Sequence, residues 1–286
     1  MILVTGSTGQ LGTAVVNYLQ ERVPASKIAV LARDAQKAQH YADKGITVRV
    51  GDYHDYASLV TAFEGIEKVL LISSSDFNDR VGQQINVINA AKQAGVKHIA
   101  YTGIEDKDAH NSATGILAKD HAETGDYLKA SGVGYTLLNN SLYADVIPMF
   151  VGENVLENGI FFPAGQGRVP FATRDDMALA AAVVLTTQGH ENKEYAIAND
   201  ESLSFKDIAE IISEITGKQI TYTSPDAETY KNVLKEAGVP DNFIWMLSGF
   251  AQAIKDKELE TGKAYLSKLI DKKPTSVKEF LTQVYK

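Results

Sequence analysis

Cysteine is absent from this 286-residue chain. Disulfides, thiolate nucleophiles and zinc–sulfur sites are therefore excluded. Long apolar runs are missing as well, since no window approaches the ~18 uninterrupted apolar residues of a membrane helix. The first residues already have strand character, so we expect no signal peptide, no membrane span and a cytoplasmic protein. Basic charge is in deficit, with 28 Lys and Arg against 36 Asp and Glu for a net charge of −8. That balance argues against a general binder of nucleic acid or of anionic membranes. His40, His54, His98, His110, His121 and His190 show no close pairing of metal-ligand type, and no metal site is expected. What remains is ordinary for a globular chain, 44% hydrophobic and 22% charged. It suits one large α/β domain, or one with a small appendage.

The informative stretch is Ile2-Leu3-Val4-Thr5-Gly6-Ser7-Thr8-Gly9-Gln10-Leu11-Gly12. Strand-like residues run into Gly6-x-x-Gly9-x-x-Gly12, and Leu11, Val15 and Leu19 then recur at helical spacing. Glycines on a strand-to-helix turn aim free amides and the positive end of a helix at one spot, which suits a pyrophosphate. Gly6 would allow the turn, Gly9 the approach of phosphate, and Gly12 the packing of helix on strand. Because the strand and the helix are both in place, dinucleotide binding is preferred over a chance glycine-rich turn.

A second strand reads from Lys27 to Ala32, and Arg33 follows it, 21 positions past Gly12. An acid at this point would hold the ribose 2′-hydroxyl of NAD, whereas a basic residue suits the extra phosphate of NADP. Lys37 could supply a second cation; the alternative is that both are solvated surface charges. Ile46 to Val50 forms strand three, and Asp52 and Tyr53 beyond it are candidates to contact adenine. Asp52 could equally be a helix-capping acid. Lys68 to Ile72 reads as a buried parallel strand that ends in Ser73-Ser74-Ser75, small polar residues suited to the nicotinamide side. Helices over Arg80–Ala94 and Ile116–Ala130, with strands over His98–Thr102 and Tyr135–Leu138, continue the alternation. Such alternation calls for a Rossmann-type, doubly wound parallel sheet. The polar loop 104–114 is a candidate lid.

We place a dinucleotide-binding domain over residues 1–140. Residues 141–286 read as a smaller, discontinuous α/β substrate region, some of whose segments return to the first domain. Within it Val146–Leu156 looks helical with an interruption near Pro148, and Arg174–Thr186 is alanine-rich. Ser204 caps an amphipathic helix, Pro225 opens another, and a last helix lies around Val277–Val284.

The chain resembles the NmrA-like group of atypical short-chain dehydrogenases, and within it the NADPH-dependent quinone oxidoreductases and triphenylmethane reductases. The likeness runs through Val4–Gly12, Gly51-Asp52-Tyr53, Leu70–Ser73, Ala94–Thr102, Tyr135–Leu138 with Tyr143, and Gly189–Lys193. Ordinary short-chain dehydrogenases carry Tyr-x-x-x-Lys on the helix after strand five. Here Leu117 and His121 stand at those positions, so the usual acid is missing. A quinone or a cationic dye accepts hydride with less need of a positioned acid, because its product is delocalised. The resemblance thus implies NADPH as cofactor and a planar acceptor, quinone or dye, as substrate, in a monomer or homodimer.

It implies Gly6, Thr8, Gly9, Gln10, Leu11 and Gly12 at the pyrophosphate, and Arg33 with Lys37 at the 2′-phosphate. Asp52 and Tyr53 would meet adenine, and Ser73, Ser74 and Ser75 the nicotinamide. His121 could hydrogen-bond the nicotinamide ribose, or be a surface residue beside Glu123. Asn139, Asn140 and Tyr143, with Phe150 and Tyr101, are placed at the acceptor, plain core packing being the alternative for the aromatics. We carry His121, Asn140 and Tyr143 forward as catalytic candidates. Two other readings remain: a non-catalytic dinucleotide-binding redox sensor, and a nucleotide-sugar epimerase or dehydratase, against which the missing tyrosine counts strongly.

Overall fold

The computed structural model describes residues 1–286. Short apolar runs with no polar face become buried parallel strands, as their sequences demand. In chain order the elements of the first half are β1 (Ile2–Val4), α1 (Gln10–Arg22), β2 (Ile28–Ala32), α2 (Gln39–Ala42), β3 (Thr47–Val50), α3 (Tyr56–Ala62), β4 (Lys68–Leu71), α4 (Arg80–Gln93), β5 (His98–Ile104), α5 (Ile116–Ala130) and β6 (Gly134–Asn140). The second half holds α6 (Ile147–Val151), α7 (Val155–Asn158), β7 (Ile160–Phe161), α8 (Arg174–Thr186), β8 (Lys193–Ile197), α9 (Phe205–Thr216), β9 (Tyr222–Thr223), α10 (Ala227–Glu236), α11 (Asp241–Lys255), α12 (Leu266–Ile270) and α13 (Val277–Tyr285).

Seven strands form one parallel sheet in the order β3-β2-β1-β4-β5-β6-β8. The order reverses direction between β1 and β4, which is where such sheets open a crevice at their carboxyl ends. Strand alternation sends Val4, Leu70, Ala100 and Leu138 to one face, against α1, α8 and α12. Leu3, Leu71, Tyr101 and Leu137 go to the other, against α3, α4 and α5. Both α8 and β8 thus lie on the main sheet, although they come late in the chain.

A second core lies beyond the sheet, where β7 and β9 pair and Phe150, Phe162, Phe171 and Phe205 meet. The Phe162 and Phe205 rings are 4.6 Å apart. Phe150 is only 4% exposed within this cluster, so of its two readings core packing holds. Two expected elements are adjusted and one is added. Pro148 stands at the start of α6 and does not interrupt it, and Gly152, at φ +82°, separates α6 from α7. Asp226, not Pro225, caps α10. The 15-residue α11, with Pro240 as its N-cap, was not foreseen.

Candidate functional site

The turn after β1 is built as its glycines require. Gly6 adopts φ +56°, open to glycine at little cost, and a side chain there would press on Ile72. A Cβ on Gly12 would fall 2.3 Å from the Gly6 carbonyl oxygen, so only glycine lets α1 start this close to the turn. Ser7 Oγ donates to the Leu31 carbonyl at 3.0 Å, and Tyr41 Oη to the Ser7 carbonyl at 2.6 Å. The amides of Gln10, Leu11 and Gly12 find no acceptor in the protein, and no acidic side chain occupies the first turn of α1. Three free amides at a helix start form an anion-binding end.

A cleft of about 310 Å³ opens in front of them. Gly6, Thr8, Gly9, Arg33, Asp52, Tyr53, Ser73, Ser74 and Ser75 line it, together with His54, Asp76 and Gln83. The structure therefore brings together nine of the thirteen residues expected around a cofactor. The other four are outside the lining. Leu11 is 8% exposed in the main core, and Gly12 is packed against the turn. Gln10 faces a separate groove with Asp145 and Arg174. Lys37, in a 3-10 turn over Gln36–Ala38, is exposed and outside the lining.

Each wall has a distinct construction. Arg33 follows β2, is exposed and forms no ion pair within 4 Å. Asp52 accepts from the His54 amide at 3.0 Å, and Asp55, not Asp52, caps α3 through the Ser58 amide at 3.1 Å. The Tyr53 hydroxyl bonds the Ile72 carbonyl at 2.9 Å and lies against Thr5 Oγ1, so its phenol is spent on joining strand ends. Burial pushes that phenol's pKa far up. The opposite wall is the segment 73–79. Gln83 clamps it, accepting from Ser74 Oγ at 2.9 Å and donating to the Asn78 carbonyl at 2.6 Å. His54 Nε2 and Asp76 Oδ2, 3.2 Å apart, face each other between the two walls. The Asn78 amide first, then His54, hold the Asp76 carboxyl below its usual range.

The three catalytic candidates do not form one constellation. Asn140 and Tyr143 are neighbours: burial raises the pKa of the Tyr143 phenol, and the Asn140 side chain and Arg174 beside it pull the other way. The Arg174 guanidinium lies 4.7 Å from the Tyr143 ring centroid. Asn140 shares the face of Leu138, against α1 and α8, whereas α5, with His121, covers the other face. His121 is half-buried, with both ring nitrogens engaged. Arg80 Nη2 donates to its Nε2 at 2.8 Å, which leaves the proton on Nδ1 to face Tyr101 Oη at 2.9 Å. Burial, then Arg80, hold His121 well below the ordinary imidazole range, and it is neutral. With Tyr101 and Asn139 it borders a second cavity of about 250 Å³, open toward His110, Asp126 and Lys129. Tyr101 is 1% exposed, with its ring in the core and its hydroxyl end at that cavity.

The loop expected to act as a lid is fastened. Glu258, past α11, accepts from Ser112 Oγ and the Ala113 amide, each at 2.9 Å, and the Lys107 amide donates to its carbonyl. Sequence reasoning missed Glu258, His54, Asp76, Gln83 and Arg80. None of them carried a local signal; Gln83 in particular lies off the apolar face that Val81, Ile85, Ile88 and Ala91 mark on α4.

Fold and cleft together define a doubly wound α/β protein with a glycine-turn site at the reversal of strand order. The NmrA-like family model matches residues 1–281, and the chain belongs to that family. It is 42% identical over 286 residues, 100% of this chain and 99% of the relative, to quinone oxidoreductase 2 of Escherichia coli (strain K12). The crystal structure of the NADPH-dependent quinone oxidoreductase of Escherichia coli complexed with NADPH superposes with a TM-score of 0.94 at 40% identity, covering 100% of both chains. Citrobacter sp. triphenylmethane reductase complexed with NADP(H) gives 0.89 at 39% identity, covering 99% of each.

Proposed function

We propose that this chain is an NADPH-dependent reductase that transfers hydride to a quinone or a similar planar acceptor such as a dye. The observation that carries it is the pairing of three free amides at the start of α1 with an unpartnered Arg33 at the end of β2. The first fits a pyrophosphate and the second a 2′-phosphate, since position 33, where an acid would hold a plain ribose, is basic. The family's reductases, with about 40% identity across the whole chain, support the same reading.

In this proposal Gly6, Thr8, Gly9, Gln10, Leu11 and Gly12 hold the pyrophosphate, several of them through backbone amides. Arg33 and Lys37 meet the 2′-phosphate, Asp52 and Tyr53 the adenine, and Ser73, Ser74 and Ser75 the nicotinamide. When bound, NADPH supplies the hydride from its nicotinamide ring. The chain's own residues orient that ring, exclude water from it and present the acceptor, with Asn140 and Tyr143 the candidates on the acceptor side. Such positioning alone can be worth roughly 7–11 kcal/mol. His121, neutral and bonded on both nitrogens, orients its surroundings and donates no proton to substrate. We assign residues 1–140 to cofactor and most of 141–286 to the acceptor, with α8 and β8 serving the main sheet. We further propose a cytoplasmic monomer or homodimer without nucleic-acid partners; no helix is long and apolar enough to cross a membrane.

The test is NADPH oxidation with 1,4-benzoquinone, a naphthoquinone and a triphenylmethane dye, side by side. Turnover with at least one is expected. Tight NADPH binding without turnover of any acceptor would replace the reductase with a redox sensor.

A further inference from the structure

Arg80 opens α4 yet is only 5% exposed. Its guanidinium is spent in several directions at once. Nε donates to the Ser74 carbonyl at 2.7 Å, Nη1 to the Leu117 carbonyl at 3.3 Å, and Nη2 to His121 Nε2 at 2.8 Å. Asp120 Oδ2 lies 3.8 Å from Nη1, and the Phe77 ring lies 5.6 Å from Cζ. One buried cation thus ties the 73–79 wall of the cleft to the first turns of α5. The planar fork is what makes this possible, since a lysine ammonium is a point charge and cannot reach three acceptors so disposed. A buried charge costs too much to keep unless such partners satisfy it.

We infer that Arg80 is the positioning residue of the proposed nicotinamide end, fixing the Ser73–Asp76 wall against α5 and orienting the His121 ring. The inference rests on the cofactor reading above. It separates two properties of the site: Arg33 sets how tightly cofactor binds, and Arg80 sets where its reactive ring lies. A further consequence concerns His121. Held by Arg80 on one nitrogen and Tyr101 on the other, the imidazole has a single tautomer as long as Arg80 is present.

R80M and R80K test this against wild type. Both should melt cooperatively and still be stabilised by NADPH, with a dissociation constant for NADPH within about threefold of wild type, because the adenosine contacts are intact. The kcat with a naphthoquinone should fall by about 100-fold in R80M, the scale of a small misplacement of reacting groups. R80K should recover only part of it, having the charge without the fork. Two readouts do not depend on turnover. The fluorescence of bound NADPH should change in both variants, and the 15N signals of His121 should lose their fixed Nδ1–H pattern. If R80M does not fold, R80K carries the emission and 15N expectations, with a smaller fall in kcat. Unchanged NADPH emission and unchanged His121 signals would overturn the inference. So would kcat, NADPH affinity and melting temperature falling in step. A wild type that turns over no acceptor would instead sink the reductase reading, leaving emission and 15N signals to decide on Arg80.

Discussion

Arg33 and Arg80 stand near opposite walls of one cleft in opposite conditions. Arg33 is exposed and makes no ion pair within 4 Å, with Asp76 of the opposite wall the carboxylate that feels its charge. Arg80 is buried, and its fork is consumed by Ser74, Leu117 and His121. A free cation at a cleft mouth is available for a ligand; a satisfied one belongs to the scaffold. On the proposed reading the wall after β2 receives charge, whereas the wall after β4 holds still.

The largest effect should come from the glycine turn that precedes both. Gly9→Asp places a carboxylate before the free amides of α1, and NADPH binding should be abolished. Ligand at about a hundred times its dissociation constant should raise wild-type stability by roughly 2.7 kcal/mol, and the variant's melt should not move. A wild-type melt indifferent to NADPH, NADP and NAD would remove the comparison altogether.

Arg33→Ala comes next and tests the receptive wall. Charge-assisted hydrogen bonds are worth roughly 1.5–3 kcal/mol, so NADPH affinity should fall by about one to two orders of magnitude. NADH should bind nearly as before and kcat should change little, with Lys37→Ala a weaker copy. Equal weakening of both cofactors in a titration would return Arg33 to the status of a surface charge.

Smaller still is the expected response to losing phenols. Tyr101→Phe and Tyr143→Phe should keep turnover of a quinone within about tenfold, short of the ~10²–10⁴ that general acid catalysis contributes. Burial raises both phenols' pKa, and Tyr101's hydroxyl already serves Gln84 and His121. A thousandfold loss in either would reveal a proton donor and make the second wall chemical as well as structural.

The mildest test is pH. Burial, with Lys68 nearby for His98 and Arg80 for His121, holds both imidazoles below their ordinary 6.5. The unfolded chain then binds more protons than the folded one once pH drops through 6.5. Their contribution is fully present above that value and is lost as pH falls toward the folded pKa values. Urea midpoints measured from pH 7.5 to 5.5 should therefore decline, and a flat profile would mean that the two rings are not held neutral.

How much of this could be read from the chain follows from where each signal resides. Gly6-x-x-Gly9-x-x-Gly12 and the strands up to β6 announce themselves, because turn chemistry and buried parallel strands are local patterns. That β8 pairs with β6 has no local signature, since register between distant segments is decided by packing. Arg80 reads as one more solvated charge at a helix start; only the fold brings Phe77 and α5 over it. Glu258 is equally mute, for its partners lie about 145 positions upstream. Aromatic positions were ambiguous for another reason. A phenylalanine past a strand end serves a pocket or a core with the same chemistry, and Phe150 went to the core.

The place of β8 also bears on the order in which the molecule can be completed. Synthesis delivers β1 through β6 first, and β6 then remains the outer strand until residues 193–197 emerge. For that interval its backbone amides and carbonyls face solvent on one side, a template for pairing with another chain. The clasp of Glu258 on residues 107–113 arrives later still. The nascent protein thus carries an open edge while every residue lining the cleft is already made, and a ligand that settles there early would steady the unfinished sheet.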